Sequence, residues 1–310
     1  MSEDSRLGVV VVTWNAEVDI PGLVESLLNS RVDGARLSVV VVDNDSHDDT
    51  VGMVRALAPS FDVVQLGYNG GYAAGANAGI AHLGDCDAYF VLNPDLLLGD
   101  DAIQALWQEM CTSGAGITVP RLTDGHGGLR FSLRREPTIA RAWGEAILGG
   151  HRSGLYPRWG EIIVDPAQYR EPRNADWATG AAMFVSRECA RAVGDWDETF
   201  FLYSEEIDFA LRARDLGFVL RYTPAAMALH AEGEVKQSPA LYSRLTVNRV
   251  KLYSSRHGSV ASGLFAAGIA VGLALRMGRR THRAGLLALL GRPGIAQAPT
   301  TPSPTSDHAS

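Results

Sequence analysis

The stretch Ala88-Tyr-Phe-Val-Leu-Asn-Pro-Asp95 joins an uninterrupted apolar run to a polar end. Five apolar residues without alternation predict a strand that is buried on both faces, as in parallel α/β sheets. Pro94 has no N–H and cannot continue a central strand, so the strand ends before it. Asp95 then lies at the carboxyl end of a buried strand, where open α/β sheets bind ligands and where a carboxylate can hold a hard cation. A simple β-turn is the alternative, because Asn, Pro and Asp all favour turns.

Strands and helices alternate before this stretch, and the alternation predicts a parallel sheet that is wound right-handedly. The segment Ser46-His-Asp-Asp49 has the form of a capping box, with Asp in place of Glu, and it opens the second helix. The predicted strands are residues 7–12, 37–42 and 62–66, and the predicted helices are residues 20–28 and about 50–57.

A glycine-rich stretch follows the third strand, Gly67-Tyr-Asn-Gly-Gly-Tyr-Ala-Ala-Gly-Ala-Asn-Ala-Gly79. It predicts a flexible loop that leads into a helix ending near Leu83, with a diphosphate at the helix N-terminus. It is not a dinucleotide-binding fingerprint, because no glycine has partners at +2 and +5 and the stretch does not follow the first strand. The alternative role is close packing of a helix on the sheet.

The chain after Asp95 predicts a longer series of elements with one irregular region. Residues 136–175 are rich in Arg, Trp, Gly and Pro without a clear period, which is typical of a lid or binding loop. The other predicted elements are helices at 101–110 and 186–193 and strands at 116–121, 129–133, 181–185 and 218–222.

A second polar cluster lies in Phe200-Phe-Leu-Tyr-Ser-Glu-Glu-Ile-Asp208. Ser204 is the predicted N-cap of a helix whose first turn contains three acids, Glu205, Glu206 and Asp208. Acids favour that position for structural reasons, and Asp208 can pair with Arg212 four residues later. The apolar approach instead indicates a partly enclosed site, where burial would raise a carboxyl pKa toward that of a useful base. His230 follows an apolar run, a setting in which a lone histidine is more often structural than a ligand.

Composition and charge limit the function classes. The apolar and charged fractions, 46% and 20%, are those of a globular protein, and the three cysteines are too few and too far apart for a disulfide framework or a metal-type pair. The apolar run 9–12 is too short for a signal peptide, so we expect a cytoplasmic protein. Residues 1–234 carry 18 basic and 34 acidic groups, and such an acidic body argues against nucleic-acid binding.

The C-terminal part is basic instead. Residues 235–310 carry ten Lys or Arg and one acid, Asp307. Two apolar stretches, 260–275 and 284–290, flank a basic segment, which fits an amphipathic element at the inner face of an anionic membrane. An equally favoured interpretation is that these helices pack on the preceding domain or pair in a homodimer. We therefore predict a domain at 1–234, a helical extension at 235–292 and a disordered tail at 293–310.

Seven motifs in this order resemble family 2 glycosyltransferases, and most closely the rhamnosyltransferase-like branch that builds bacterial cell-surface glycans. The resemblance covers about residues 7–257. The motifs are Val10-Val-Val-Thr-Trp-Asn15, Val41-Val-Asp-Asn-Asp-Ser46, Asn69-Gly-Gly-Tyr-Ala-Ala-Gly-Ala-Asn-Ala-Gly79, Leu92-Asn-Pro-Asp95, Trp177-Ala-Thr-Gly-Ala-Ala182, Phe201-Leu-Tyr-Ser-Glu-Glu-Ile-Asp208 and His230.

The resemblance implies an α/β GT-A fold, a nucleotide-sugar donor and an inverting reaction. Asp95 occupies the metal position of the family's Asp-x-Asp motif, Asn93 replaces the first Asp, and His230 matches a position that helps hold the metal. Asp43 would bind the pyrimidine base. The residues implied to bind the nucleotide-sugar are Thr13, Asn15, Asp43, Asn69, Gly71, Asn77, Asn93 and Asp95.

The catalytic base of the family is the second residue of a Glu-Asp pair, and Glu206 takes that place here. Glu205 and Asp208 are the neighbouring candidates, because Glu206 is one methylene longer than the family's Asp. Trp177 and Gly180 would lie on the acceptor side. The implied cofactor is Mg²⁺ or Mn²⁺, which oxygen and imidazole ligands suit.

The expected reaction transfers a sugar, with rhamnose from dTDP-rhamnose as the leading candidate, to a hydroxyl of a cell-surface glycan or a lipid-linked precursor. The alternative is a catalytically silent GT-A domain that acts as a scaffold, which would have lost the base or the metal carboxylate. A nucleotidyltransferase would carry a basic, glycine-rich loop after its first strand, and Thr13-Trp-Asn-Ala-Glu17 contains no basic residue.

Overall fold

The computed structural model describes residues 5–230 and 238–291. A nine-stranded mixed sheet forms the centre, with the strand order β3-β2-β1-β4-β10-β6-β11-β5 and with β8 beside β11; β7 and β9 form a separate two-stranded sheet. The strands are β1 Ser5–Thr13, β2 Ala35–Asp43, β3 Asp62–Gln65, β4 Ala88–Leu92, β5 Leu96–Leu98, β6 Ile117–Thr123, β7 Leu133–Arg134, β8 Arg173–Ala175, β9 Trp177–Ala178, β10 Ala182–Ser186 and β11 Leu220–His230.

Helices cover both faces of this sheet, as the mixed α/β fold class requires. The α-helices are α1 Ile20–Asn29, α2 Thr50–Leu57, α3 Gly71–Leu83, α4 Ala102–Ser113, α5 Ile139–Leu148, α6 Gly150–Gly154, α7 Arg187–Val193, α8 Glu205–Asp215, α9 Pro239–Arg256, α10 Ser259–Ala274 and α11 Arg280–Leu289.

The first four paired strands are parallel, as the alternating pattern predicts. Val9 pairs with Val39 and with Phe90, so one register joins β1 to β2 and to β4. The central runs of two of these strands, Val9 to Val12 in β1 and all of β4, are apolar and buried on both faces. The shared register brings the carboxyl ends of the strands to one edge, where Thr13 lies opposite Asp43.

The other half of the sheet departs from the parallel pattern. β10 runs antiparallel to β4, with Phe184 opposite Phe90, and it also runs antiparallel to β6. The prediction of a parallel sheet therefore holds for β3-β2-β1-β4 and for the β6–β11 pair. Buried apolar strands occur in both settings, so composition alone does not reveal the direction of a strand.

The glycine-rich stretch is mostly helix rather than loop, which corrects the expectation of a flexible segment. α3 begins at Gly71, and its small residues let it lie close to the sheet. A Cβ on Gly75 would come within 2.5 Å of Val12, and one on Gly79 would come within 2.3 Å of Val10. Helix–sheet packing thus explains most of these glycines.

Three other local predictions are wrong. The region 136–175 is not irregular, because it contains α5, α6, a 3₁₀ turn at Pro166–Tyr169 and β8. Of the predicted strand at 129–133, Leu129 forms one isolated bridge and β7 begins only at Leu133. The predicted capping box at Ser46–Asp49 does not form. Asp49 is the N-cap of α2 but makes no side-chain cap, and the hydroxyl of Ser46 hydrogen-bonds to Asp43.

The helices after residue 238 pack on the rest of the chain. α10 lies against α5, and their contact belongs to a small core of Ala142, Tyr253, Phe265, Ile269 and Leu273. In the part of the chain that the structure describes, no helix has the length and apolarity needed to cross a membrane. The predicted disordered tail at 293–310 lies outside the described residues.

Replacing Gly79 by Ala tests the packing role of α3. We expect the added Cβ to push against Val10 and Val42, both fully buried, and to lower the free energy of unfolding by roughly 1–3 kcal/mol. Gly263→Ala on α10 is the matched control, because its Cβ meets open space and should stabilise the helix by up to about 1 kcal/mol. Urea unfolding measures both, and a Gly79→Ala protein as stable as wild type would contradict the packing role.

Candidate active site

A cavity of about 600 Å³ opens beside the carboxyl end of β4. Several predicted site residues share it, although they are far apart in the chain. The residues that line it are Tyr72, Asn93, Asp95, Leu122, Asp124, Arg130, Phe131, Ser132, Arg134, Thr179, Gly180, Ala181, Leu202, Tyr203, Glu205, Glu206 and His230.

Asp95 and His230 meet at the edge of the cavity. The pairing of β5 with β11 places His230 opposite Leu96, the residue after Asp95. As a result, His230 Nε2 lies 3.2 Å from Asp95 Oδ2. Asp95 Oδ1 is buried and has no hydrogen-bond partner among the described residues. The sheet itself therefore brings a carboxylate and an imidazole together and leaves one carboxylate oxygen unsatisfied.

This pair fits a divalent cation that is shared with a ligand. Across residues 5–230 and 238–291, no three His, Cys, Asp or Glu side chains gather into a metal-binding cluster, and the candidate ligands in this part of the chain are the pair Asp95 and His230. Mg²⁺ is commonly held by one or two carboxylates together with substrate phosphates and water. The unsatisfied Asp95 oxygen suits such a site, because a cation would replace its missing partner.

Glu205 and Glu206 enter the cavity from the first turn of α8. The segment before them has an unusual backbone, since Phe201, Tyr203 and Ser204 all have positive φ angles, +64°, +69° and +82°. Ser204 precedes the helix but does not cap it with its side chain. Instead, the backbone N–H of Ser204 donates to Glu206 Oε2 at 2.9 Å. Ser204 therefore occupies the predicted N-cap position, but its hydroxyl does not cap the helix.

The acidic pair is held in a low-dielectric environment. Burial and the neighbouring Glu206 carboxylate raise the pKa of Glu205 to about 8, and burial also raises the pKa of Glu206. Glu205 Oε2 is buried without a hydrogen-bond partner among the described residues. Around neutral pH the pair therefore retains a proton, and a carboxylate in this environment is a stronger base than one in water.

Tyr72 and Gly180 form the wall beside the pair. The hydroxyl of Tyr72 donates to the carbonyl of Gly180 at 3.1 Å, and burial together with Glu205, Glu206 and Asp95 raises the pKa of Tyr72. A Cβ on Gly180 would lie 2.8 Å from Glu206 Cβ. Glycine at 180 therefore leaves room for the Glu206 side chain.

The predicted nucleotide residues Thr13, Asn15 and Asp43 lie together at the ends of β1 and β2, outside this cavity. Thr13 Oγ1 donates to Asp43 Oδ1 at 3.2 Å, and Asn15 Oδ1 accepts from the N–H of His47 at 2.8 Å. Asp43 is 1% exposed and also accepts from the N–H of Ser46. These contacts shape the two strand ends and leave Asn15 exposed beside them.

The remaining predicted residues are more widely spread. Asn69 Oδ1 accepts from the N–H of Gly71 at 3.0 Å, next to the start of α3. Asn77 exchanges hydrogen bonds with the backbone of Trp196, so it joins α3 to the chain before α8. Asn93 lines the cavity, as predicted for the donor side.

Trp177 and Asp208 are turned away from the cavity. Trp177 is buried, and its Nε1 donates to the carbonyl of Arg135. Asp208 forms an ion pair with Arg212 at 2.7 Å, which matches the structural alternative for that acid. Glu205 and Glu206 are thus the predicted catalytic acids that share the cavity with Asp95.

Sequence reasoning missed the wall formed by the chain between β6 and β7. Asp124, Arg130, Phe131 and Arg134 line the cavity there. Arg134 lies over the ring of Trp177, with 5.7 Å between the guanidinium carbon and the ring centre. The available signal was Arg130 and Arg134, which lie in and next to a stretch that the sequence predicted only as a strand.

Comparison with known proteins identifies the family and supports the fold. Residues 8–167 match the family model described as glycosyl transferase family 2. The chain belongs to glycosyltransferase family 2. This glycosyltransferase is 29% identical over 237 residues to the N-acetylglucosaminyl-diphospho-decaprenol L-rhamnosyltransferase of Mycobacterium tuberculosis (strain CDC 1551 / Oshkosh), covering 72% of this chain and 75% of the relative.

Two further matches extend the comparison. The glycosyltransferase is 25% identical over 232 residues to rhamnosyltransferase WbbL of Escherichia coli (strain K12), covering 72% of this chain and 82% of that one. The fold resembles the mannosyltransferase PcManGT from Pyrobaculum calidifontis, solved with GDP-Man and Mn²⁺, with a TM-score of 0.58 and 15% identity over 94% of this chain and 77% of that one. The GT-A fold and the rhamnosyltransferase-like resemblance are therefore confirmed.

Replacing Glu205 by Gln tests whether the pair is buried as described. The pKa of Glu205 rises from 4.5 when unfolded to about 8 when folded, so between these values the folded protein keeps a proton that the unfolded chain loses. Stability therefore falls as pH rises, by up to about 1.4 kcal/mol per pH unit from this group. We expect urea unfolding from about pH 5 to 8 to give a shallower fall for Glu205→Gln, and parallel pH profiles would contradict the assignment.

Proposed function

We propose that this glycosyltransferase moves a sugar from a nucleotide-sugar donor to an acceptor hydroxyl in one inverting, metal-dependent step. The proposal rests on one observation: a single cavity is lined by Glu205, Glu206, Asp95 and His230. A cation-binding pair and a carboxylate base are the two groups that such a transfer needs.

The donor would lie along the carboxyl ends of the parallel strands. Its nucleotide would contact Thr13, Asn15 and Asp43, and its diphosphate would reach the Asp95–His230 pair, in which Asp95 follows β4, the neighbour of β1, and His230 ends β11. Mg²⁺ or Mn²⁺ held there would offset the negative charge that grows on the departing nucleoside diphosphate. Asn93 and Asp95 would border the transferred sugar.

Glu206 would act as the base. It accepts the proton of the acceptor hydroxyl while the hydroxyl oxygen bonds to the anomeric carbon and the bond to the diphosphate breaks on the opposite side. One Glu206 oxygen is held by the N–H of Ser204, which fixes the direction of the side chain. Burial raises the pKa of Glu206, which brings its basicity closer to the operating pH.

Rhamnose from dTDP-rhamnose is the proposed donor sugar, and a lipid-linked glycan precursor is the proposed acceptor. Support comes from the relatives' names, because two of them are rhamnosyltransferases and one name specifies a diphospho-decaprenol acceptor. The cavity wall with Arg130, Phe131 and Arg134 lies beyond β10, on the side of Asp95 away from β1 and β2, and would meet the acceptor.

A catalytically silent scaffold is the alternative function. It is disfavoured because both Glu206 and Asp95 are present and line the same cavity. Asp95 also keeps one buried oxygen without a hydrogen-bond partner among the described residues, which a scaffold would not need.

Two substitutions should give opposite signatures. Glu206→Gln keeps the size of the side chain but removes the base, so we expect donor affinity to stay within about threefold while transfer falls by roughly 10²–10⁴-fold. Asp95→Asn should instead weaken metal-dependent donor binding, because it removes a charged cation ligand. Calorimetry measures donor binding, and release of nucleoside diphosphate in the presence of acceptor measures transfer.

Glu188→Gln is the matched control, since Glu188 is an exposed acid in the first turn of α7 and does not line the cavity. It should leave both measurements unchanged. A Glu206→Gln protein with most of its turnover would refute the base assignment. Unchanged donor affinity in Asp95→Asn would refute the metal assignment.

We also propose that the protein binds the cytoplasmic face of an anionic membrane through one surface of its helical extension, residues 235–292, and of the neighbouring α5–α6 region. Arg276 Nη1 donates to the carbonyl of Ala146 at 2.8 Å, which places the end of α10 beside the end of α5. Large apolar side chains are exposed around this junction: Ile147, Leu148, Leu155, Tyr156, Trp159, Leu275 and Met277.

The charges near this surface favour an anionic partner. Exposed arginines lie on both elements, namely Arg152, Arg158, Arg279, Arg280 and Arg283. In the described stretches 139–160 and 259–291 the one acid is Glu145, and it is directed inward in an ion pair with Arg249. A surface that is apolar, basic and free of exposed acid suits the headgroup region of an anionic bilayer.

Point substitutions test membrane binding better than a deletion, because removing α10 would uncover its contact with α5. We expect the double variant Ile147→Ser with Trp159→Ser to lower binding to vesicles containing phosphatidylglycerol by roughly tenfold or more, because two apolar anchors are lost. Val18→Ser, which changes a 92% exposed valine elsewhere, is the control. Equal sedimentation of the double variant and wild type, or a wild-type dimer that the double variant abolishes, would contradict a membrane role.

A further inference from the structure

Asn248, on α9, contacts the segment that precedes the acidic pair. Its side-chain Nδ2 lies 2.8 Å from the carbonyl oxygen of Phe200, 3.0 Å from that of Leu202 and 2.9 Å from that of Tyr203. Asn248 is 7% exposed and does not line the cavity. One amide group therefore gathers three carbonyl oxygens of a single turn, although it has two N–H donors to share among them.

The turn that Asn248 holds has a backbone conformation that needs support. Phe201, Tyr203 and Ser204 lie in the left-handed region, where side chains with a Cβ are strained. Such a conformation persists only when surrounding contacts determine it. Since Glu205 and Glu206 directly follow this turn, its shape sets where the two carboxyl groups point.

Other contacts hold the same turn from two sides. On the α9 side, the guanidinium of Arg244 lies 4.3 Å from the ring centre of Phe201, and Lys251 Nζ donates to the carbonyl of Thr199 at 2.6 Å. On the α3 side, the N–H of Tyr72 donates to the carbonyl of Phe201 at 2.8 Å. Tyr72 thus binds the carbonyl oxygen of Phe201, and Asn248 binds those of the other three residues of the turn.

We propose that Asn248 is a positioning residue that keeps Glu205 and Glu206 in the cavity by binding the carbonyl oxygens of the turn at 200–203. The proposal rests on the proposed function of Glu206 as the base. It gives the basic helix α9 a role in arranging the site, separate from any contact with a membrane. An aspartate at 248 would have the same shape but would place acceptor oxygens against three carbonyl oxygens, so it would repel the turn.

Asn248→Asp is therefore the principal test, with Asn248→Ala as the milder variant. We expect kcat to fall by about 10–100-fold in Asn248→Asp, with a smaller fall in Asn248→Ala, because a base that is displaced by about 1 Å loses much of its effect. KM for the donor should change by less than about threefold, since Asn248 does not line the cavity and its hydrogen bonds go to the turn rather than to the proposed donor residues. Val247→Ala changes the exposed neighbour on α9 and should match wild type.

The pH dependence of kcat separates positioning from a loss of folded protein. The profile is measured in Asn248→Ala, which adds no charge: a loosened turn lets water reach the pair, so the raised pKa values of Glu205 and Glu206 should fall and the acidic limb of the profile should move to lower pH. The charged and titratable groups that face the pair or line the same cavity are Tyr72 on α3, Tyr203 in the turn, Arg244 on α9, Asp124, Arg130 and Arg134 on the wall after β6, and Asp95 and His230 across the cavity. Asn248→Ala leaves all of them in the chain, whereas Asn248→Asp would add a carboxylate whose charge itself raises a neighbouring carboxyl pKa.

Amide hydrogen exchange tests the proposal without any substrate. We expect exchange in residues 200–207 to quicken at least tenfold in Asn248→Asp while the strands β1 and β4 stay protected. Wild-type exchange in this segment would overturn the proposal, as would wild-type kcat or an unmoved pH profile. If the wild-type protein transfers no sugar at all, the proposed function fails, and the exchange experiment alone decides whether Asn248 holds the turn.

Discussion

Two carboxyl groups, Glu205 and Glu206, lie side by side in a buried position, and the surrounding structure offsets the free-energy cost of burying them together. Burial of adjacent acids is unfavourable unless protons or hydrogen bonds offset it, and both pKa values are raised accordingly. The N–H of Ser204 binds one Glu206 oxygen, and the left-handed turn before α8 makes that bond possible. The buried acids thus lower the free energy of unfolding at the position of the proposed base. Such a loss of stability at a functional site is common in enzymes.

The sheet supplies the other half of the site. Parallel strands bring the ends of β1, β2 and β4 to one edge, and β11 returns across the sheet to deliver His230 to Asp95. The acidic pair arrives from a different element, α8, and meets this edge across the cavity. In the proposed reaction, the cation-binding pair at the diphosphate would thereby lie on the sheet, and the base at the acceptor would follow a supported turn.

Features that depend on local sequence were predictable. The buried strands at 7–12, 37–42 and 88–92 follow from apolar runs, and Asp95 and Glu206 follow from motifs next to them. Features that depend on distant pairing were not. The meeting of His230 with Asp95 requires β5, a three-residue strand with no distinct signal, and the role of Asn248 requires α9 to lie over a turn about 45 residues earlier. The arginine-rich wall at 130–134 was missed because a predicted strand at 129–133 does not by itself show which cavity it borders.

Titration of the purified protein with a panel of sugar nucleotides, in Mg²⁺, in Mn²⁺ and in EDTA, tests the central claim most directly. Binding heat and nucleoside diphosphate release would be measured together. We predict that one donor binds and is turned over in the presence of metal, and that EDTA abolishes both the binding and the release of nucleoside diphosphate. A folded protein that binds no donor in the presence of metal, or one that transfers sugar equally well in EDTA, would contradict it.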